Sequence, residues 1–166
     1  MGAAAVVALA AAVGWWWRSG DEAHLRRRLL ELAALAGKSG AEPWFESARR
    51  AEQIAAMFDE PFSFDPASEW TGAADSRSEL KALILHARTR LRSLRVEVSG
   101  VETDVDAGRT AAVQRCAVAV EAVADGVSER QVREAELRWR KTREGWRIAE
   151  ARAVDVIRPL APATGG

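Results

Sequence analysis

The spacing of apolar residues changes at Arg95. Upstream they recur every three to four positions, the period of a helix; downstream, as far as Ile157, they recur every two, the period of a half-buried strand. A chain written this way has to make antiparallel ribbons from its second half and cover one face of them, and the amphipathic helices ahead of Arg95 are the cover it carries. The expected class is therefore α+β, with three helices packed on a curved antiparallel sheet. The pattern is plainest from Glu134 to Glu150. There charged and apolar residues alternate up to Trp139, Glu144-Gly145 reads as a turn, and Trp146 and Ile148 resume the period.

The earlier strands carry their own punctuation. Val96 and Val98 share one face whereas Val101, Thr103 and Val105 share the other, so a bulge at Gly100 is expected where the phase switches. Asp106-Ala-Gly108 is the next turn. The stretch Thr110 to Val123 is small or apolar on both faces, with Val113, Ala117 and Ala119 on one and Cys116, Val118 and Val120 on the other, which predicts burial on both sides: helices on one, a second copy of the chain on the other. Asp125-Gly126 is a further turn. By simple alternation Glu150 and Arg152 share a face with Trp146 and Ile148, where they would either place a carboxylate and a guanidinium in a cavity or form a salt bridge near its rim, the structural role outweighing the catalytic one.

Ser19-Gly-Asp-Glu22 has the form of a capping box and opens a first helix with the stripe Leu25, Leu29, Leu32 and Ala36 and a C-cap at Gly37. Pro43 at a first helical position opens a second, with Trp44, Ala48, Ala51, Ala55 and Phe58 on one face. Phe62 to Pro66 reads as a short strand, and the loop Ala67 to Asp75 carries Trp70. A second capping box, Ser76-Arg-Ser-Glu79, launches a third helix with the stripe Leu80, Leu83, Ile84, Ala87, Leu91 and Leu94; His86 lies on its flank and His24 is exposed in the first helix.

Residues 2–17 hold no charge and end in Trp15-Trp16-Trp17. As a helix they would span about 24 Å, a little short of the ~30 Å of a bilayer core. The Trp block suits a membrane interface and does not resemble the small residues of a cleavage site, so an uncleaved, single-pass anchor is expected over residues 1–18, a single domain over 19–158, and a tail over 159–166. Arg18 and Arg26 to Arg28 follow the apolar run, which by charge alone leaves the domain in the cytoplasm.

Lys plus Arg and Asp plus Glu are equal at 24 each, so no net field favours nucleic acid, and none is expected as a partner. Of the 24 basic residues 21 are Arg, which with the abundant Ala reads as coding bias. The single Cys116 forms no internal disulfide, and the two His and one Cys have no metal-ligand spacing, so neither metal nor cofactor is expected.

The order of three helices, a short strand between the second and third, and four long strands ending in Gly145-Trp146-Arg147-Ile148 resembles the nuclear transport factor 2-like superfamily, in its SnoaL-like branch. Phe62-Ser-Phe64-Asp65-Pro66, Thr71-Gly72, Arg77-Ser-Glu79-Leu80 and Gly108-Arg109-Thr110-Ala111 carry the rest of the likeness, which covers Asp21 to Ile157. The resemblance implies a cone-shaped, cystatin-like domain with a pocket inside a bent sheet, frequent dimerisation through the outer sheet face, and roles from isomerase, cyclase or dehydratase to pure binding. It also favours an extracytoplasmic, periplasmic domain in a bacterial envelope. The enzymes of the family use carboxylates, His and often Tyr or Asn, and this chain has no Tyr and no Asn. The remaining acid or base candidates are Asp65, His86, Glu121 and Glu150, with Arg115 or Arg152 as anion partners, and the pocket candidates are Asp65, Trp70, Trp139, Glu150 and Arg152. The leading expectation is a membrane-tethered, non-catalytic module binding a small hydrophobic ligand or a protein. An assembly subunit of a bacterial envelope complex and a SnoaL-type isomerase, dehydratase or cyclase are the alternatives.

Overall fold

The computed structural model describes residues 20–66 and 73–157. The expected anchor, the Ser19 cap, Trp70 and the tail lie outside them. Among the described residues no helix is long and apolar enough to cross a membrane.

Helix α1 runs through residues 20–36, α2 through Trp44–Ala55 and α3 through Arg77–Arg90; the strands are β1 Phe58–Asp65, β2 Ser93–Val105, β3 Ala111–Ala124, β4 Val127–Thr142 and β5 Gly145–Ile157. Three helices cover one five-stranded sheet of order β1-β5-β4-β3-β2. The last four strands form an antiparallel meander, as expected, but β1 joins β5 in parallel, so the sheet is mixed. The parallel edge follows from chain path: α3 returns the chain between β1 and β2, leaving β1 free to lie beside the last strand.

Local chemistry accounts for most boundaries. The Ser76 hydroxyl accepts from Glu79 N and the Glu79 carboxylate accepts from Asp75 N, so both halves of a capping box are present, one residue displaced on the carboxylate side. Pro43 is the N-cap of α2 and not its first helical residue. Trp44 is 80% exposed although the periodicity put it on the packed face; Ser47, Ala51, Ile54 and Ala55 are what that face buries. Phe58, expected on α2, instead opens β1. Leu91 caps α3 and Leu94 belongs to β2. Gly100 sits at φ 60°, and the β2–β3 register slips between Ser99 and Glu102, which is the expected bulge. Asp125 and Gly126 both have positive φ, the conformation of a two-residue hairpin turn that matches strand twist.

The long-range contacts give each element a direction. At one end of the molecule Asp21, at the start of α1, meets Arg109 in the β2–β3 turn and Trp146 at the start of β5. The end of α2 accepts a bond from Arg147 at Ala56 O, and Arg77 at the start of α3 donates to Phe58 O. At the other end Lys38, just past α1, bridges Leu94 of β2, and Arg88 of α3 reaches Gly37 O. Helices α1 and α3 therefore run from the first end, here called the base, to the far end, and α2 runs back.

Candidate functional site

Cross-strand partners share a face, so the sheet's helix-facing side can be read as successive rungs away from the base. The first is Val105, Ala112, Trp139, Ile148 and Phe58, and the second Thr103, Gln114, Leu137, Ala151 and Phe64. Cys116, Ala135 and Ala153 form the third, and Val98, Val118 and Arg133 the fourth; Val96, Val120 and Gln131, then Leu94, Ala122 and Glu129, complete the series. Burial falls along it. The first rung is closed, with every member at most 4% exposed, beneath Leu25, Leu29 and Leu80. From the fourth rung outward the valines are only half-buried. Each large side chain sealed in the base is worth about 2–3 kcal/mol, and the unfinished burial beyond it leaves an apolar wall made of Val98, Val118, Val120 and Ala135, with Arg133 and Gln131 as its polar members. Arg133 donates to Gln131 Oε1 at 3.0 Å and to Pro66 O at 3.4 Å, tying the wall to the segment after β1.

Two polar groups are built into the base. Gln114, fully buried, donates to Thr103 Oγ1 (3.0 Å) and accepts from Trp139 Nε1 (3.0 Å), so the tryptophan N–H is satisfied without water. Asp21 accepts from Arg109 Nε at 2.7 Å and from Trp146 Nε1 at 3.3 Å, and Lys141 lies 5.3 Å above the Trp146 ring. Burial pushes the Asp21 carboxyl up, but the bonds from Arg109 and Trp146 and the charges of Lys141 and Arg109 outweigh it and hold the group below its ordinary range. It is an ionised clamp. Cys116, on the third rung, is pushed by burial up to about 11, so at neutral pH it is a protonated packing residue and no nucleophile.

The expectation that Glu150 and Arg152 share the face of Trp146 and Ile148 is overturned. Arg138 pairs with Glu150 but the neighbouring Trp139 pairs with Ile148, so β5 carries one extra residue, Ala149, and the side chains from Glu150 to Ala153 change face, until a second slip between Ala153 and Asp155. Glu150 and Arg152 lie on the outer side with Glu136, a carboxylate only 6% exposed that accepts from Arg152 (2.9 Å) and Arg115 (3.1 Å) and pairs with Arg138. The hydrogen bond from Arg152 leads the effects that hold Glu136 below its usual range. Asp65 is opposite Arg152 on this outer side as well. Of the five pocket candidates, then, Trp139 is in the closed base, Glu150, Arg152 and Asp65 are on the outer face, where Arg152 binds Glu136, and Trp70 is outside the described residues. His86, Glu121 and Arg115 are exposed, and Glu121 and Arg115 are on the outer face. Among the described residues no group of His, Cys, Asp and Glu is placed to hold a metal ion. Asp21, Gln114 and Arg133 were missed. Gln114 alone had a signal, as a polar residue at an inward position of an otherwise apolar strand.

No protein-family model and no curated protein matches the sequence. Among solved structures the chain is similar to a nuclear transport factor 2-like protein with a cystatin-like fold from Novosphingobium aromaticivorans, at 19% identity and a TM-score of 0.69 over 92% of this chain and 90% of that one. It is also similar to a candidate scytalone dehydratase from the same organism (14% identity, TM-score 0.65, 87% and 91% covered). A third is a candidate dehydratase of the nuclear transport factor 2-like family from Streptomyces avermitilis (15%, 0.53, 69% and 89%). At these identities the likeness carries the fold alone: three helices on a five-stranded sheet in the nuclear transport factor 2-like, cystatin-like arrangement.

Proposed function

We propose that this nuclear transport factor 2-like domain is a membrane-tethered, non-catalytic binding module of the SnoaL-like branch, which holds a small apolar ligand against the wall of Val98, Val118, Val120 and Ala135. The observation that carries the reading is the fall in burial from a sealed base to half-buried aliphatic rungs on the same helix-facing side. Arg133 and Gln131 would orient a polar end of the ligand. An isomerase or a dehydratase, the latter being the candidate activity of two similar structures, needs a base and a donor for the developing oxyanion. Rungs one to four hold no carboxylate and no imidazole, and Asp21 is committed to Arg109 and Trp146.

The tether reading is supported by the charge-free residues 2–17 and their Trp block. An extracytoplasmic domain is favoured by the fold resemblance and opposed by the Arg residues after the apolar run; a reporter that works only in the periplasm, fused to the C-terminus and found inactive, would eliminate it. A homodimer through the outer sheet face is favoured by its half-buried Val113, Ala117, Ala119 and Val132 between cross-strand ion pairs.

Ligand capacity is tested with 1-anilinonaphthalene-8-sulfonate, an apolar probe with an anionic end, titrated against the native protein by fluorescence. Val118→Asp places a charge on the wall away from the sealed base, and binding is expected to weaken at least tenfold while circular dichroism stays native. Unchanged affinity in Val118→Asp and in Val120→Asp would refute the site.

A further inference from the structure

The bulge at Ala149 decides what the inner end of the apolar wall is made of. Unbroken alternation along β5 would turn Glu150 and Arg152 toward the helices; the extra residue turns Ala151 and Ala153 there instead, opposite Leu137 and Ala135. Two methyl groups stand where a carboxylate and a guanidinium would have been, so this part of the sheet is both neutral and shallow. The exposures show the room that results. Leu137 is sealed at 4% and Cys116 at 5%, whereas Ala135, Ala151 and Ala153, on the same helix-facing side, are half-buried. An alanine beside sealed neighbours that is still partly open has free space above its Cβ, because protein interiors otherwise fill to close packing.

The wall that leads away from these alanines suits a chain better than a ring. Phe58, Trp139 and Phe64 are all used on the first two rungs, and among the described residues no aromatic side chain lies on the sheet from the third rung outward. Planar ligands gain from stacking on rings, and the outer rungs offer them none. They offer Val98, Val118 and Val120, and the partly buried residues of α1 and α3 that pack on the core, Leu32, Leu35, Leu83 and Ile84, are aliphatic as well. Four residues of β4 separate Ala135 from Gln131, about 13 Å of strand, which matches roughly ten carbons of extended alkyl chain with bonds of about 1.5 Å.

We propose, resting on the wall described above as the ligand site, that the apolar part of the ligand is an unbranched alkyl chain of about ten carbons. Its end lies over Ala135, Ala151 and Ala153, its polar head reaches Gln131, and the three alanines set the length that fits. Longer chains meet the sealed base and gain nothing from the carbons left outside.

The test is displacement of 1-anilinonaphthalene-8-sulfonate from the native protein by 1-alkanols from hexanol to tetradecanol, with Val118→Asp measured in parallel to subtract binding elsewhere. Apparent affinity is expected to rise about tenfold for each added pair of methylenes as far as decanol and then to level off. Ala135→Leu and Ala153→Leu fill the inner end. In whichever of them keeps a native circular dichroism spectrum the break should move about three carbons shorter, the number that leucine adds to alanine; a break imposed by alkanol solubility would not move. Affinity that climbs without a break to tetradecanol, or a break unmoved in both variants, overturns the length filter and leaves the wall standing. Probe binding that Val118→Asp weakens but no alkanol displaces overturns the alkyl class, with the site again intact. Probe binding that neither Val118→Asp nor Val120→Asp weakens removes the site, and the chain-length filter with it.

Discussion

Arg88 is the residue on which the far end depends. It is 2% exposed in the last turn of α3, and its guanidinium donates to Glu42 Oε1 and Oε2 at 2.9 and 2.7 Å, to Ala36 O at 2.9 Å and to Gly37 O at 3.2 Å. Those carbonyls end α1, where the helix has no donors of its own and its dipole is negative. Lys38 reciprocates, donating to Leu91 O beyond the end of α3 at 2.6 Å. Glu42 feels burial most, which raises it, but the bonds from Ser47 and Arg88 and the charges of Arg88 and Arg50 prevail and keep it ionised. Removing one partner strands the other charge, so Arg88→Met is expected to cost about 3–5 kcal/mol in urea unfolding, with Arg88→Met/Glu42→Gln recovering part of it. Arg90→Met, exposed one position beyond the next, should change stability by less than about 0.5 kcal/mol. A loss no larger for Arg88→Met than for Arg90→Met would deny the buried network its role. None of this is legible from periodicity, because an arginine beside an apolar stripe reads as a solvated flank until its carbonyl partners, some fifty residues away, are known.

Two of the sheet's bulges, at Gly100 and Ala149, differ in how plainly the sequence displays them. At Gly100 the switch was visible, since apolar residues change parity around a glycine, and the backbone there does take φ 60°. A Cβ at that position meets nothing within 4 Å, so the cost of Gly100→Ala is conformational alone, about 1–2 kcal/mol. That loss should appear as a lower denaturation midpoint with an unchanged slope, and a stabilised variant would contradict the assignment of strain to this residue. At Ala149 the same signal is present but fainter. Apolar and charged residues exchange parity across the adjacent pair Ile148-Ala149, marked by alanines and no glycine, and the extra residue sends Glu150 and Arg152 to the outer face, where Glu136 and Arg138 satisfy them. Periodicity therefore served for the helices, the turns and the antiparallel meander, each set by local composition. It could not reveal the parallel pairing of β1 with β5, which is decided by partners distant in the chain.

Ion pairs also distribute the protein's response to acid over the whole molecule. Asp21 joins α1 to the base turns, Glu42 joins the entry of α2 to α3, and Glu136 joins β4 to β3 and β5. Asp106 accepts from Ala111 N, the leading effect on it, and closes the β2–β3 turn. In all four the carboxyl in the folded protein lies below its ordinary value. A group depressed by folding binds its proton more readily in the unfolded chain, so its contribution is complete above the unfolded range, about pH 4–5, and is lost as pH falls through the lower folded value. Stability to urea should consequently be flat from neutrality down to that range and decline below it, with no matching loss on the alkaline side from these groups. Asp21→Asn tests the share held at the base. It should lower stability at pH 7, because the Arg109 and Lys141 charges lose their partner, and its acid limb should be shallower by up to one proton. Should the variant instead keep the native acid limb at full steepness, Asp21 would not be the acid-sensitive link between α1 and the sheet, and the clamp that sets the direction of the chain's first helix would have to be sought elsewhere.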